Sequence, residues 1–314
     1  MDESTFLGTI IGSAVGDSIG ELAFFCRDTE TLLQAIKDAE RLIYTDDTAM
    51  ALGLGESLLS CTGRIDTEHL GRTFHKNFLR EPQRGYGPGP PVIFSLVDTT
   101  GEPYIDVASR LYGGSGSFGN GAAMRIAPLG VYFYDADDSI LFEAARSSAI
   151  VTHAHPLGVD GAVALAKAIA MVALKDLDGQ EDSGDRILFL LESIYDFVQT
   201  EEFKRQIDWI KELLSRNASL EIAADKLGTG ITALESVPFS IFAFLKNPSS
   251  FETCLLETVM IEGDKDTIGA MVGALLGARL GVEKIPVKWR KKLENQQKLE
   301  KLARELWTLK NAST

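Results

Sequence analysis

Residues 4–20, STFLGTIIGSAVGDSIG, carry glycine at every fourth position: Gly8, Gly12, Gly16 and Gly20. Gly269, Gly273, Gly277 and Gly281 repeat that spacing near the other end of the chain. On a helix the i, i+4 row forms a ridge, and a row of glycines turns the ridge into a groove. Glycine inside a helix costs about 1 kcal/mol relative to alanine. Four in register are explained if another backbone lies in the groove. Both segments are therefore expected to be central helices, able to pack against one another. The competing reading is two helices that are merely glycine-rich.

The rest of the chain also reads as helix. Helical composition or a 3.6-residue apolar period covers 48–60, 66–80, 138–152, 158–175, 186–199, 201–216, 219–227, 230–245, 251–261, 267–280 and 291–310. VYFYDADD at 131–138 is the one short strand-like run. RGYGPGPPV (84–92) is too rich in Gly and Pro for a regular helix, and GGSGSFGNGAAMR (113–125) exposes backbone amides before a helix that starts near Ala122. Pro238 is placed to end a helix, and DLDGQEDSGD (176–185) reads as poorly packed. The expected fold is all-α, one domain over 1–314.

Bulk properties narrow the function. The formal net charge is −14 and the pI about 4.8, so phosphate backbones are repelled and unaided nucleic-acid binding is not expected. Cys26, Cys61 and Cys254 are scattered, with no C-x-x-C, which indicates reduced thiols rather than a disulfide framework or structural zinc. The N-terminus MDESTF lacks the basic start of a signal peptide, and the best apolar run, Ile268 to Leu280, is too short to span a bilayer. A cytoplasmic monomer with no membrane association is expected.

Two acidic clusters carry the chemistry. TDDT (45–48) and GDKDT (263–267) each put two aspartates and a threonine at the mouth of an apolar helix. Either cluster alone is a good helix cap, since an acidic first turn suits the helix dipole. If the two helix starts converge, Asp46, Asp47, Asp264 and Asp266 share one site. Four carboxylates that close need compensation, and cations with a taste for oxygen, such as Mg²⁺, supply it. The glycine-rich loop is weak evidence of a phosphate cradle. His153 and His155 could be metal ligands, an acid–base pair or hydrogen-bonded core residues. No nucleophile elbow, Cys–His set or Rossmann fingerprint is present.

Taken in order, GxxxGDSIG, YTDDTAM, RGYGPG, GSGSFGNGAAMR, THAHPLGVDGA, GTGITALESVP and GDKDTIGAMVGALLGARLG resemble the ADP-ribosylglycohydrolase family over most of the chain, nearest the branch directed at serine-linked ADP-ribose and poly(ADP-ribose). The resemblance implies an orthogonal helical bundle with a central binuclear Mg²⁺ site. Thr45, Asp46 and Asp47 match one ligand motif, and Asp264, Asp266 and Thr267 the other. Ser115, Gly116, Ser117, Phe118, Gly119, Asn120 and Gly121 match the loop that cradles the diphosphate and distal ribose. His153 and Ile231 match residues of the ADP-ribose site. The implied partner is ADP-ribose or an ADP-ribosylated protein. The implied activity is hydrolysis of that linkage, with Asp46 or Asp47 acting on the attacking water.

Three departures stand out. Where the family has a Glu that serves as ligand and acid–base group, this chain has Phe24; Glu21 is the nearest carboxylate in sequence. Glu262 and Lys265 replace small residues in the second motif. The segment from Phe24 to Tyr44 is also short. These departures support a second reading, an ADP-ribose-binding pseudoenzyme or a structural protein on the same fold.

Overall fold

The computed structural model describes residues 1–174 and 183–312. The first third of the chain folds into α1 (Glu3–Ala23), α2 (Thr29–Asp38), α3 (Asp46–Ser60), α4 (Thr67–Arg80), α5 (Gly89–Thr100) and α6 (Tyr104–Gly114). A 3-10 turn over Asn120–Ala122 leads to α7 (Ala127–Tyr132), α8 (Asp138–Ile150), α9 (Pro156–Ala173) and α10 (Ser183–Phe197). The remainder forms α11 (Glu201–Ser215), α12 (Leu220–Leu227), α13 (Ala233–Lys246), α14 (Phe251–Val259), α15 (Lys265–Leu280), α16 (Val287–Lys292) and α17 (Gln296–Ala312). Among the described residues there are no strands, only isolated bridges between Leu42 and Leu293 and between Gly119 and Thr232.

The glycine rows explain how these helices assemble. α1 and α15 lie antiparallel in backbone contact at the centre of the molecule. A Cβ on Gly8 would overlap the carbonyl of Gly277; on Gly12, that of Gly273; on Gly16, that of Gly269. At the end of the row, a Cβ on Gly20 would lie 2.6 Å from the Cα of Asp266. The seam therefore pins the C-terminal end of α1 to the N-terminal end of α15, which carries the second acidic cluster. α9 packs on α7, α8, α13 and α15. One hydrophobic core runs from Phe6 to Leu306.

Several local expectations are corrected. VYFYDADD is no strand: α7 ends at Tyr132 and α8 begins at Asp138. The Gly/Pro stretch ends inside α5, whose first turn takes Pro90 because an N-terminal turn needs no N–H from it. α13 continues through Pro238 rather than stopping there. No helix starts at Ala122; a 3-10 turn there precedes α7. α9 is also long and apolar enough to cross a membrane by length and composition, but it is mostly buried in the core. Of the stretch expected to be poorly packed, 176–182 lies outside the described residues, and Ser183 to Asp185 begin α10.

Candidate active site

Asp17 organises the first cluster. It is fully buried in the apolar run of α1, and its carboxylate accepts hydrogen bonds from the backbone N–H of Thr45 (3.0 Å) and Thr48 (3.0 Å) and from the Thr48 hydroxyl (2.6 Å). Those N–H groups are among the unpaired donors at the start of α3, so Asp17 caps that helix from a distant part of the chain. Thr45 is the N-cap; its hydroxyl accepts from Asp47 N–H (3.3 Å) and donates to Asp47 Oδ2 (3.1 Å). Asp46 and Asp47 follow in the first helical turn, both buried.

The second cluster meets the first across the seam. Asp264 accepts from Asn120 Nδ2 at 2.6 Å, and its own N–H is held by the Thr229 carbonyl at 2.8 Å. Asn120 Nδ2 also reaches the Ser236 hydroxyl (3.0 Å), which ties the glycine-rich loop to α13 and α15. Asp46, Asp47, Asp264, Asp266 and Thr267 line one cavity of about 460 Å³ with Ser117 to Gly121, His153 and Ile231. A second cavity of about 500 Å³ shares Asp266 and Gly85 with it and holds Thr45, Glu21, Arg84 and Glu294.

Electrostatics in this neck is lopsided. Burial pushes Asp17 up to about 7, aided by the charge of Asp266 and opposed by the bond from Thr48. Burial, then the charges of Asp17 and Asp266, push Asp46 up to about 8. The same causes hold Asp47 well above the carboxylate range, and burial with Asp266 pushes Asp264 up to about 7. Among the described residues no basic side chain forms an ion pair with the group, and only the buried Arg125 exchanges charge with Asp46 from behind it. Lys265 turns away and donates to the Ala23 carbonyl (3.3 Å) at the end of α1. Arg84 is bound to Glu294 (2.7 Å) and Glu81 (2.9 Å).

These side chains fit a divalent cation in two respects. They are hard oxygens in excess, and the buried Oδ1 atoms of Asp47 and Asp266 have no hydrogen-bond partner. Among the described residues, though, no three His, Cys, Asp or Glu side chains already form a closed cage.

The loop from Ser115 to Gly121 forms the opposite wall. It follows left-handed backbone at Tyr112, Gly113 and Gly114, and Gly116 repeats that geometry against the backbone of Ala154 and His155. Asn120 N–H to the Ile231 carbonyl (3.0 Å) and Ala233 N–H to the Phe118 carbonyl (3.0 Å) brace it. Among the described residues the amides of Ser117 and Phe118 donate to nothing, which leaves them free for an anion. Ser115 and Gly116 do not line the cavity; the Ser115 hydroxyl donates back to Tyr112. Phe118 and Ile231 are half-exposed or more, at 47% and 73%, and stand at the mouth.

The histidines divide. His155 is the N-cap of α9, its Nδ1 accepting from Leu157 N–H (3.1 Å). His153 lines the cavity, and burial together with the Arg125 charge pushes it down to about 3, so it is neutral. Phe24 caps the end of α1, 47% exposed, and lines neither cavity. Glu21 does reach the site's edge: it lines the second cavity, and burial and the charge of Asp266 raise its carboxyl.

The arrangement matches known proteins along its whole length. The ADP-ribosylglycohydrolase family model matches residues 2–314. The chain belongs to the ADP-ribosylglycohydrolase family. It is 31% identical to the bovine ADP-ribosylhydrolase ARH3, over 96% of this chain and 92% of that one. The human ADP-ribosylhydrolase ARH3 is 30% identical, over 96% and 93%. An uncharacterized protein of Archaeoglobus fulgidus is 30% identical, over 98% and 97%. A solved structure described as an ADP-ribosylglycohydrolase-related protein complex superposes with a TM-score of 0.73 at 26% identity, covering 98% of each chain. These likenesses put the chain on the ARH3-like branch of a family of ADP-ribosyl hydrolases.

Proposed function

We propose that this protein is a Mg²⁺-dependent hydrolase that releases ADP-ribose from modified protein side chains or related conjugates. The observation that carries the reading is the unneutralised acid group at the neck of the cavity, with the Oδ1 atoms of Asp47 and Asp266 buried and unpartnered. Thr45, Asp46, Asp47, Asp264, Asp266 and Thr267 would hold two Mg²⁺ ions. Bound there, the ions would supply charge neutralisation and grip on the diol of the distal ribose. The chain's own groups do the rest. The free amides of Ser117 and Phe118, with Gly119 to Gly121, take the diphosphate, which an acidic protein must otherwise repel. Phe118 and Ile231 give the adenosine an apolar wall. Asp46 or Asp47 orients the attacking water; its oxygen bonds to C1″, the bond to the acceptor atom breaks, and one water proton leaves with the acceptor.

The test is a panel of serine-, arginine-, O-acetyl- and polymer-linked ADP-ribose with Mg²⁺ or chelator. Release from at least one linkage, lost in chelator and in Asp46→Ala, is expected. Tight ADP-ribose binding with no release from any linkage would overturn the reading. That result would establish instead the non-catalytic binder, which Phe24 favours by standing outside both cavities where the family resemblance implies an acid.

A further inference from the structure

Arg125 is a cation with no exposed surface and, among the described residues, no ion pair; the charge of Asp46 acts on it only at longer range. A guanidinium buried in this way is costly to the extent that its donors go unused, and its Nε has no partner among the described residues, so the bonds made by Nη1 and Nη2 carry the compensation. Nη1 donates to the carbonyl of Gly121 (3.1 Å) and to the hydroxyl oxygen of Thr152 (2.9 Å), and Nη2 donates to the carbonyl of Ser148 (2.9 Å). The plane sits 4.5 Å above the ring of Phe74. Burial pushes the group down to about 9, so it stays charged at neutral pH.

The bond to Thr152 has a consequence one residue further on. A guanidinium only donates, so the Thr152 oxygen accepts and its single hydrogen is left to give. Among the described residues the one other partner of that hydroxyl is His153 Nδ1, at 2.7 Å. Were Nδ1 to carry a proton, the buried Thr152 hydrogen would lose its acceptor, at a cost of about 1–3 kcal/mol. Nδ1 is thus the acceptor, and the proton of the neutral ring is on Nε2. Nε2 has no partner among the described residues and faces Gly121 and Gly119 on the wall of the cavity that Ser117 and Phe118 also line.

We propose that Arg125 and Thr152 are positioning residues that fix His153 in its Nε2–H tautomer, as a neutral hydrogen-bond donor to an anionic or hydroxyl oxygen of the bound ligand. The ligand's identity as ADP-ribose rests on the reading under Proposed function; the tautomer does not. The same guanidinium holds the Gly121 carbonyl, so the loop and the histidine are set by one group. This assignment excludes His153 as a metal ligand through Nε2 and as a general base, because the nitrogen that faces the cavity carries the proton.

The tautomer is read from long-range ¹⁵N–¹H correlation spectra of the unliganded full chain, with the His153 ring assigned by its absence in His153→Asn. A single Nε2–H tautomer, unchanged from pH 5 to 8, is expected in the wild type and in Thr152→Ser. Thr152→Val should fold, lose the tautomer preference, and bind ADP-ribose about tenfold more weakly, as for loss of one hydrogen bond to a charged group. An Nδ1–H or imidazolium signal in the wild type overturns the proposal. So does a Thr152→Val protein that loses affinity with its tautomer unchanged, or that changes in neither. Failure of ADP-ribose to bind the wild type would remove the ligand reading, whereas only a wrong tautomer would remove the positioning role.

Discussion

Asp47 shows the strongest conflict between stability and function. It is buried among Asp17, Asp46, Asp264 and Asp266, and its Oδ1 has no partner. Replacement by Asn keeps the shape and the Thr45 hydroxyl bond while removing a charge that burial and four neighbours oppose. Asp47→Asn should therefore melt higher than the wild type at pH 8 in chelator. It should also lose the Mg²⁺-induced rise in melting temperature, and hydrolysis should fall at least a hundredfold, since transition-state charge stabilisation by a bound ion is worth several kcal/mol. A variant that melts lower in chelator would mean the carboxylate is structurally satisfied after all. The paired aspartates were legible in the sequence because two copies of one pattern stood at two helix mouths. Asp17 was not: a lone Asp in an apolar run carries no sign of which distant N–H groups it will accept from. Only its place, one residue after Gly16 on the central seam, hints that it faces another element.

Elements with a clear period or a close-contact row could be read from the chain, and so could α12 and α14, though both are short. α1 and α15 announced themselves through glycine spacing, and the structure puts each glycine of one against the other's backbone as far as Gly20, which meets Lys265 and Asp266. α2, α5, α6 and α7 are not legible, nor is α16, since the helix read over 291–310 is broken between Lys292 and Gln296. α2 buries only Leu32 and Ile36, too few positions to show a period. α5 opens on Gly-Pro-Pro, a turn signal that also suits a first helical turn. The seam makes a sharp prediction. Gly16→Ala would drive a methyl into the Gly269 carbonyl, so the helices must separate, with a loss of about 1–3 kcal/mol or more. Gly87→Ala meets nothing within 4 Å and should leave the melting temperature within about 1 °C. Denaturant midpoints of the two variants check the contrast; equal midpoints would show that the seam has slack. Gly16→Ala should also weaken Mg²⁺ binding, because Asp17 and Asp266 are held in register by the same contact.

At the scale of the whole molecule, gathering five carboxylates, three of them buried, at one helix junction makes stability depend on pH in the direction opposite to ordinary acid denaturation. Asp17, Asp46 and Asp264 have folded-state values raised to about 7, 8 and 7 from 3.8. Between pH 4 and 7 the folded chain therefore holds more protons than the unfolded one, and the slope of unfolding free energy with pH is negative. This contribution is fully present below pH 3.8 and is lost as pH rises through 7 to 8. Without a divalent cation, one excess proton corresponds to about 1.4 kcal/mol per pH unit, or roughly 2–4 °C in melting temperature. The carboxylates of the remaining surface pull the other way at low pH, so the decline should be visible from about pH 5 to 8. Under the proposed function added Mg²⁺ should reverse it: a cation there would bind the ionised oxygens, displace their protons and stabilise the folded state by mass action. Thermal melts at pH 5, 6.5 and 8, in chelator and in Mg²⁺, should diverge with increasing pH, the gap being widest at pH 8. A chelated protein that gains stability from pH 5 to 8, or a Mg²⁺ effect that is largest at pH 5, would show that the five acids are not the cation site and that their charge is met in another way.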